Sequence, residues 1–158
     1  MTRYTTMDSP LGLLQLTADE EGRVTSLYGP VQKGAAVAPD PDWTPDPDGL
    51  AAAVAQLREY FAGERKEFDL ALAPPGSEFR QRVWRALDDI PFGATVTYKE
   101  LTQAAGLPPT SVRAVAGAVG ANPLLIIRPC HRVVGSNGSL TGFAAGLEAK
   151  QILLDLEG

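Results

Sequence analysis

The chain has 158 residues, with 14 Lys plus Arg against 19 Asp plus Glu, a net charge of −5 and a pI near 4.8. Its one cysteine, Cys130, stands beside its one histidine, His131, which excludes an internal disulfide and a four-ligand structural zinc site. The apolar run Leu124–Ile127 is far too short to span a bilayer, and Met1-Thr2-Arg3-Tyr4 lacks a secretory pattern. A soluble protein of the cytoplasm, with no membrane partner, is expected.

The acidic total argues against nucleic acid as a partner, but the charge is uneven. Residues 1–75 carry six basic and twelve acidic side chains; residues 76–158 carry eight and seven. A mild basic bias therefore surrounds the Cys-His pair.

In chain order, residues 4–8 and 11–17 alternate weakly, with Ser9-Pro10-Leu11-Gly12 between them, and Arg23–Tyr28 continues the β-like pattern. These segments predict a small antiparallel sheet. Residues 34–49, with Pro39, Pro41, Pro45 and Pro47, read as an exposed loop. Leu50–Phe61 is helical, with Leu50, Val54, Leu57 and Phe61 on one face and Gly63 as its stop. Phe68–Leu72 alternates like one more strand, and Pro74-Pro75-Gly76 marks a boundary. The expected organisation is α+β. Residues 1–75 form a sheet with a helix, and residues 76–158 a mostly helical domain.

In the second half, Ser77 can cap a helix that buries Phe79, Val83, Trp84 and Leu87 and ends before Pro91. Thr97 and Glu100 have capping-box spacing and start a short helix through Ala105. A turn at Gly106-Leu107-Pro108-Pro109 follows, then a helix capped by Thr110 and running to about Ala121, before Asn122-Pro123. Helix, glycine-containing turn and helix make a helix-turn-helix pattern. The last of these helices clusters Val112, Val115 and Val119 on one side, with Arg113, Ala114, Gly117 and Ala121 opposite. Glycine inside a helix costs about 1 kcal/mol relative to alanine, so Gly117 and Gly120 need a reason. Close approach to a large partner and close packing against another helix of the chain are equally consistent with this segment.

Leu124–Ile127 reads as a buried strand leading into Arg128-Pro129-Cys130-His131-Arg132-Val133-Val134. A thiol becomes a good nucleophile on losing its proton, which a nearby imidazole can accept directly or through water. The imidazole in turn needs an acid to orient it. On extended chain, adjacent side chains face opposite ways, so a direct Cys-His contact does not follow. Asn137-Gly138 is a hairpin signal, residues 140–146 form a small-residue loop around Phe143, and Ala149, Ile152, Leu153 and Leu156 stripe a final helix ending near Glu157.

Pro129-Cys130-His131-Arg132-Val133-Val134 resembles the active-site signature of the O6-alkylguanine-DNA alkyltransferases, the methylated-DNA–protein-cysteine methyltransferases. The likeness runs from about Gly76 to Gly158. It takes in Phe79 with Val83-Trp84, Ile90-Pro91 with Gly93, Thr97-Tyr98, Arg113-Ala114-Val115, Asn122-Pro123 and the stretch from Gly142 to Glu157; Asp8-Ser9-Pro10-Leu11-Gly12 fits less specifically. The resemblance implies a monomer that binds double-stranded DNA in the minor groove and flips the damaged base into a pocket. It would take the alkyl group from O6-alkylguanine, and from O4-alkylthymine, onto Cys130 once, with no cofactor and no metal. By the same likeness His131 would deprotonate Cys130 through a water, Glu157 would orient His131, and Asn122 would support the turn. Tyr98 would help rotate the nucleotide and protonate the leaving guanine. Arg113 would replace the flipped base, Ala114 and Gly117 would allow close approach, and Arg132 would meet DNA. Val133, Phe143, Ala144 and Ala145 would line the substrate pocket.

Some positions depart from the family. Arg128 stands where an apolar residue is usual, and its charge must reach solvent or a phosphate. Phe143 replaces a common tyrosine, and Ala144 and Ala145, in place of Ser or Gly, bring extra methyl groups that would narrow the pocket. The competing reading is a damage-binding module without transfer chemistry, whose relatives lack the acceptor cysteine that this chain has.

Overall fold

A computed structural model describes residues 2–29, 40–136 and 147–158. The architecture is α+β. Strands β1 (Arg3–Ser9), β2 (Gly12–Ala18) and β3 (Val24–Tyr28) form the antiparallel meander expected from their alternation. Ser9 closes the first turn by donating its hydroxyl to the Gly12 carbonyl at 2.7 Å, and Gly12 itself takes φ +103°.

The proline-rich segment is not wholly loop. Thr44–Pro45 forms β4, which adds to β1 in parallel at the sheet edge, in the order β3-β2-β1-β4. Thr44 N donates to Thr2 O at 2.9 Å and Asp46 N to Tyr4 O at 2.9 Å, so the ladder's donors flank Pro45. An edge strand can lack one N–H in this way. Phe68–Leu72, read as a strand, makes only a single bridge, between Leu72 and Val24.

Helix α1 (Ala51–Phe61) ends as expected at Gly63, with φ +77°. Its buried face is turned by about one residue from the expected one. Leu50, Ala53, Leu57 and Tyr60 are buried, while Val54 and Phe61 are only partly so. Both sets satisfy helical spacing, and tertiary packing selects the one that carries Tyr60.

In the second half, α2 (Glu78–Leu87) is capped by Ser77, whose side chain accepts from Arg80 N. Helix α3 (Tyr98–Ala104) carries the complete Thr97–Glu100 capping box. Arg82 of α2 closes its far end, donating to Ala105 O at 2.7 Å and Gly106 O at 3.0 Å. Thr110 does not cap the next helix. Pro109–Ser111 makes a turn of 3-10 helix, and α4 (Val112–Gly120) continues from it. Trp84 ties α4 to α2 through a 2.8 Å bond from its indole N–H to Ala118 O.

The run Leu124–Ile127 is buried but is not a strand. Leu124 bridges Leu27 of β3, and the chain then folds back, with Arg128 N donating to Leu124 O at 3.0 Å and Ile126 at φ +69°. That conformation is strained for a β-branched residue, at a cost of about 1–3 kcal/mol. Cys130–Arg132 then form a 3-10 turn and Val133–Val134 form β6, which pairs in parallel with β5 (Val96–Thr97). Helix α5 (Leu147–Glu157) closes the chain.

One apolar core joins the two halves. Leu27 N donates to Pro123 O at 2.7 Å and Leu125 N to Leu27 O at 3.3 Å. Strand β3 therefore braces the segment that leads to Cys130. Among the described residues no helix is long and apolar enough to cross a membrane.

Candidate active site

The site is built on the 3-10 turn Cys130–Arg132, which replaces the extended chain expected there. Cys130 is 4 % exposed and His131 fully buried. Pro129 precedes the turn, and Asn122 holds it from below. Its side chain accepts from Leu124 N at 3.1 Å and donates to Leu124 O at 3.2 Å and Arg128 O at 3.1 Å. A buried amide with its bonds satisfied on both sides of the strained Ile126 fixes that loop in one conformation.

Helix α5 brings Glu157 to the turn. His131 Nε2 lies 2.6 Å from Glu157 Oε2. Arg132 donates twice to the same carboxylate, Nε to Oε1 at 2.7 Å and Nη2 to Oε2 at 2.9 Å, and its Nη1 to Ile90 O at 2.6 Å. Tyr60 of α1 donates its hydroxyl to Oε2 at 2.6 Å, and Gly93 N lies 3.4 Å from Oε1. A carboxylate at a helix C-terminus opposes the helix dipole, and burial also works to raise the Glu157 carboxyl. Bonds from His131, Arg132 and Tyr60 outweigh burial and hold it well below the usual carboxylate range.

An ionised Glu157 can only accept, so His131 Nε2 carries the proton and Nδ1 keeps its lone pair. That Nδ1 is buried and meets no hydrogen-bond partner among the described residues. Burial lowers the His131 pKa, against the pull of Glu157, and keeps the ring neutral. Burial pushes the Cys130 thiol up to about 11, with the Asn122 amide and the Lys150 ammonium acting in the opposite direction. The resting thiol is protonated and needs a base, and the next residue in the chain, His131, carries a neutral imidazole.

Three expectations change. Arg132 is 6 % exposed and bound to Glu157 and Ile90, so its guanidinium faces inward and does not meet DNA. Arg128 meets a carboxylate of the chain itself. Its side chain is 9 % exposed and pairs with Asp88 Oδ1 at 3.3 Å, while its Nε and Nη1 make no hydrogen bond. Val133 is fully buried in β6, and its carbonyl accepts from Lys150 Nζ at 2.5 Å. Phe143, Ala144, Ala145 and the Asn137-Gly138 signal lie outside the described residues.

Arg113, Ala114 and Gly117 share an exposed face of α4 with Gly120. A Cβ built on Gly117 or Gly120 would meet nothing within 4 Å. Packing against another helix therefore does not explain these glycines. Tyr98 opens α3, half-buried, with its carbonyl accepting from Thr102. Among the described residues no group of three or more His, Cys, Asp or Glu is placed to hold a metal.

Sequence reasoning missed Tyr60, Lys150 and Asp88. Lys150 and Tyr60 are fully buried polar groups, and only the fold shows that they converge on the turn.

Residues 78–158 match the DNA-binding domain model of 6-O-methylguanine DNA methyltransferase, and residues 2–74 match its ribonuclease-like domain model. The chain is 47% identical to a methylated-DNA–protein-cysteine methyltransferase of Mycolicibacterium paratuberculosis, over 99% of this chain and 93% of the relative. It is also 47% identical to one of Methanosarcina acetivorans, over 98% and 97%. The crystal structure of Mycobacterium tuberculosis OGT in complex with DNA superposes with a TM-score of 0.89 at 46% identity, over 98% of this chain and 92% of that one. With these matches along its whole length, the chain belongs to the methylated-DNA–protein-cysteine methyltransferase family.

Proposed function

We propose that this protein repairs DNA by moving the alkyl group of O6-alkylguanine, and of O4-alkylthymine, onto its own Cys130. The observation that carries the reading is the buried pair, 2.6 Å across, between Glu157 of α5 and His131 of the turn that bears the cysteine. His131 Nδ1 takes the thiol proton through a water. The thiolate then attacks the alkyl carbon in line, the S–C bond forms and the O6–C bond breaks, leaving its electron pair on guanine. Tyr98 donates a proton to the departing base. Glu157 stabilises the imidazolium, and Asn122 keeps the turn in register. The thioether is not cleaved, so each molecule acts once, as a monomer without cofactor.

Residues 76–158 serve as the DNA-binding and acceptor domain, with residues 1–75 as its scaffold. The open face of α4 enters the minor groove of double-stranded DNA. Ala114 and Gly117 let the backbone approach, and Arg113 fills the space of the flipped base. Phe143, Ala144 and Ala145 would bound the pocket. A reducing cytoplasm keeps the single thiol usable.

Intact mass after incubation with duplex DNA containing O6-methylguanine tests this. One methyl group should appear on the protein, at Cys130, and none on Cys130→Ser. Tight binding with unchanged mass would refute transfer and favour a damage-binding module.

A further inference from the structure

The acceptor domain does not hold its catalytic pair alone. Glu157 Oε2 takes three donors, and one of them, the Tyr60 hydroxyl at 2.6 Å, comes from α1 in the other half of the chain, 97 residues away. Tyr60 is 1 % exposed and its ring sits among Phe61, Phe68 and Phe92, with centroids 5.4, 5.6 and 6.1 Å away. Such packing leaves the hydroxyl little freedom to aim elsewhere. It is also more than apolar filling requires, since a phenylalanine would satisfy the same neighbours.

Two cationic side chains also face the pair. Arg132 from the same turn binds both carboxylate oxygens. Lys150 of α5 acts on both Cys130 and His131. Segment 90–93 offers only backbone, through Ile90 O and Gly93 N. Tyr60 adds a third donor to Oε2, beside His131 and Arg132. It withdraws charge from the oxygen that His131 also uses, and so weakens the pull of Glu157 on a protonated ring.

We propose that Tyr60 is a positioning residue of the alkyl-transfer centre, through which the first half of the chain sets the basicity of His131 by sharing Glu157 Oε2. This deepens the reading above and rests on it. Without the phenol, Glu157 is a stronger partner for imidazolium, and His131 holds its proton to higher pH. Its capacity to accept the thiol proton is then lost earlier as pH falls.

The test is the pH dependence of single-turnover methyl transfer by the full chain, wild type against Tyr60→Phe, read by intact mass. The acid limb should move to higher pH by roughly half a unit or more. Incorporation of 3-fluorotyrosine at position 60, a stronger donor, should move it the other way, and serves also if Tyr60→Phe folds poorly. A limb that stays in place, or rates lowered equally at every pH, would overturn the proposal and leave Tyr60 as packing. His131 is the only histidine of the chain, so ¹⁵N-histidine spectra of the same proteins follow one ring without any transfer reaction. The expected result there is a higher protonation midpoint in Tyr60→Phe, and an unchanged ring spectrum counts against the proposal. Wild-type protein that never gains a methyl would instead sink the functional reading, whatever the ring spectra show.

Discussion

The buried thiol makes stability depend on alkaline pH in a way that can be calculated. Burial raises Cys130 from 9.0 to about 11 in the folded protein. The unfolded chain thus begins to release its thiol proton near pH 9, while the folded chain holds it until about pH 11. A raised acid stabilises the fold fully below the unfolded value, and that contribution is lost as pH rises through this window. Two pH units at about 1.4 kcal/mol each give about 3 kcal/mol in full, and about half of that by pH 10. Urea unfolding of wild type and Cys130→Ser at steps from pH 8 to 10.5 isolates the effect, because every other group titrates in both proteins. With a slope of about 1–3 kcal/mol per molar urea, the wild-type midpoint should fall by about 0.5–1.4 M by pH 10 relative to the variant. Midpoints that run parallel over the whole range would refute the claim that the thiol is held protonated by burial. They would also remove the need for a base.

Two further outcomes follow from the geometry. Arg113→Ala should slow transfer from duplex DNA by at least about tenfold, the scale of losing one to two kcal/mol of flipped-state support. It should leave reaction with free O6-alkylated guanine almost unchanged, and equal losses on both substrates would count against insertion of Arg113. Asp88→Asn should lower stability by about 1–3 kcal/mol in urea unfolding, because it leaves the buried Arg128 charge without its partner. Arg128→Leu should restore most of that loss in the double variant, and additive losses would mean that the ion pair is not the cause.

The parts of the fold that the sequence declares are those fixed by neighbours in the chain. Ser77 and the Thr97–Glu100 box cap their helices because a cap needs only four consecutive residues. The small-residue face of α4 is where helical spacing places it. Leu124–Ile127 shows the boundary of that legibility. An apolar run announces burial, but a strand and a folded turn bury it equally well, and the Asn122 bonds that decide between them are tertiary. The site divides in the same way. Cys130, His131, Asn122 and Glu157 were recognisable from a motif and its family. Tyr60, Lys150 and Asp88 were not, since their roles come from contacts that no local pattern encodes. Arg132 and Arg128 looked like surface cations for the same reason. A basic residue is expected in water until a carboxylate is found beside it, and both carboxylates lie far away in sequence.

The bareness of α4 has a consequence for what the protein can read. From Val112 to Gly120 Arg113 is the only side chain with hydrogen-bonding groups. Base identity in a groove is distinguished by donors and acceptors, and the minor groove offers few of them. A helix that presents methyl groups, bare backbone and one cation is therefore indifferent to the letters on either side of a lesion. On the proposed reading, the flanking sequence does not decide which guanines are repaired. Discrimination falls on the pocket, after the base has already left the stack, so the search along DNA samples sites by how readily they open.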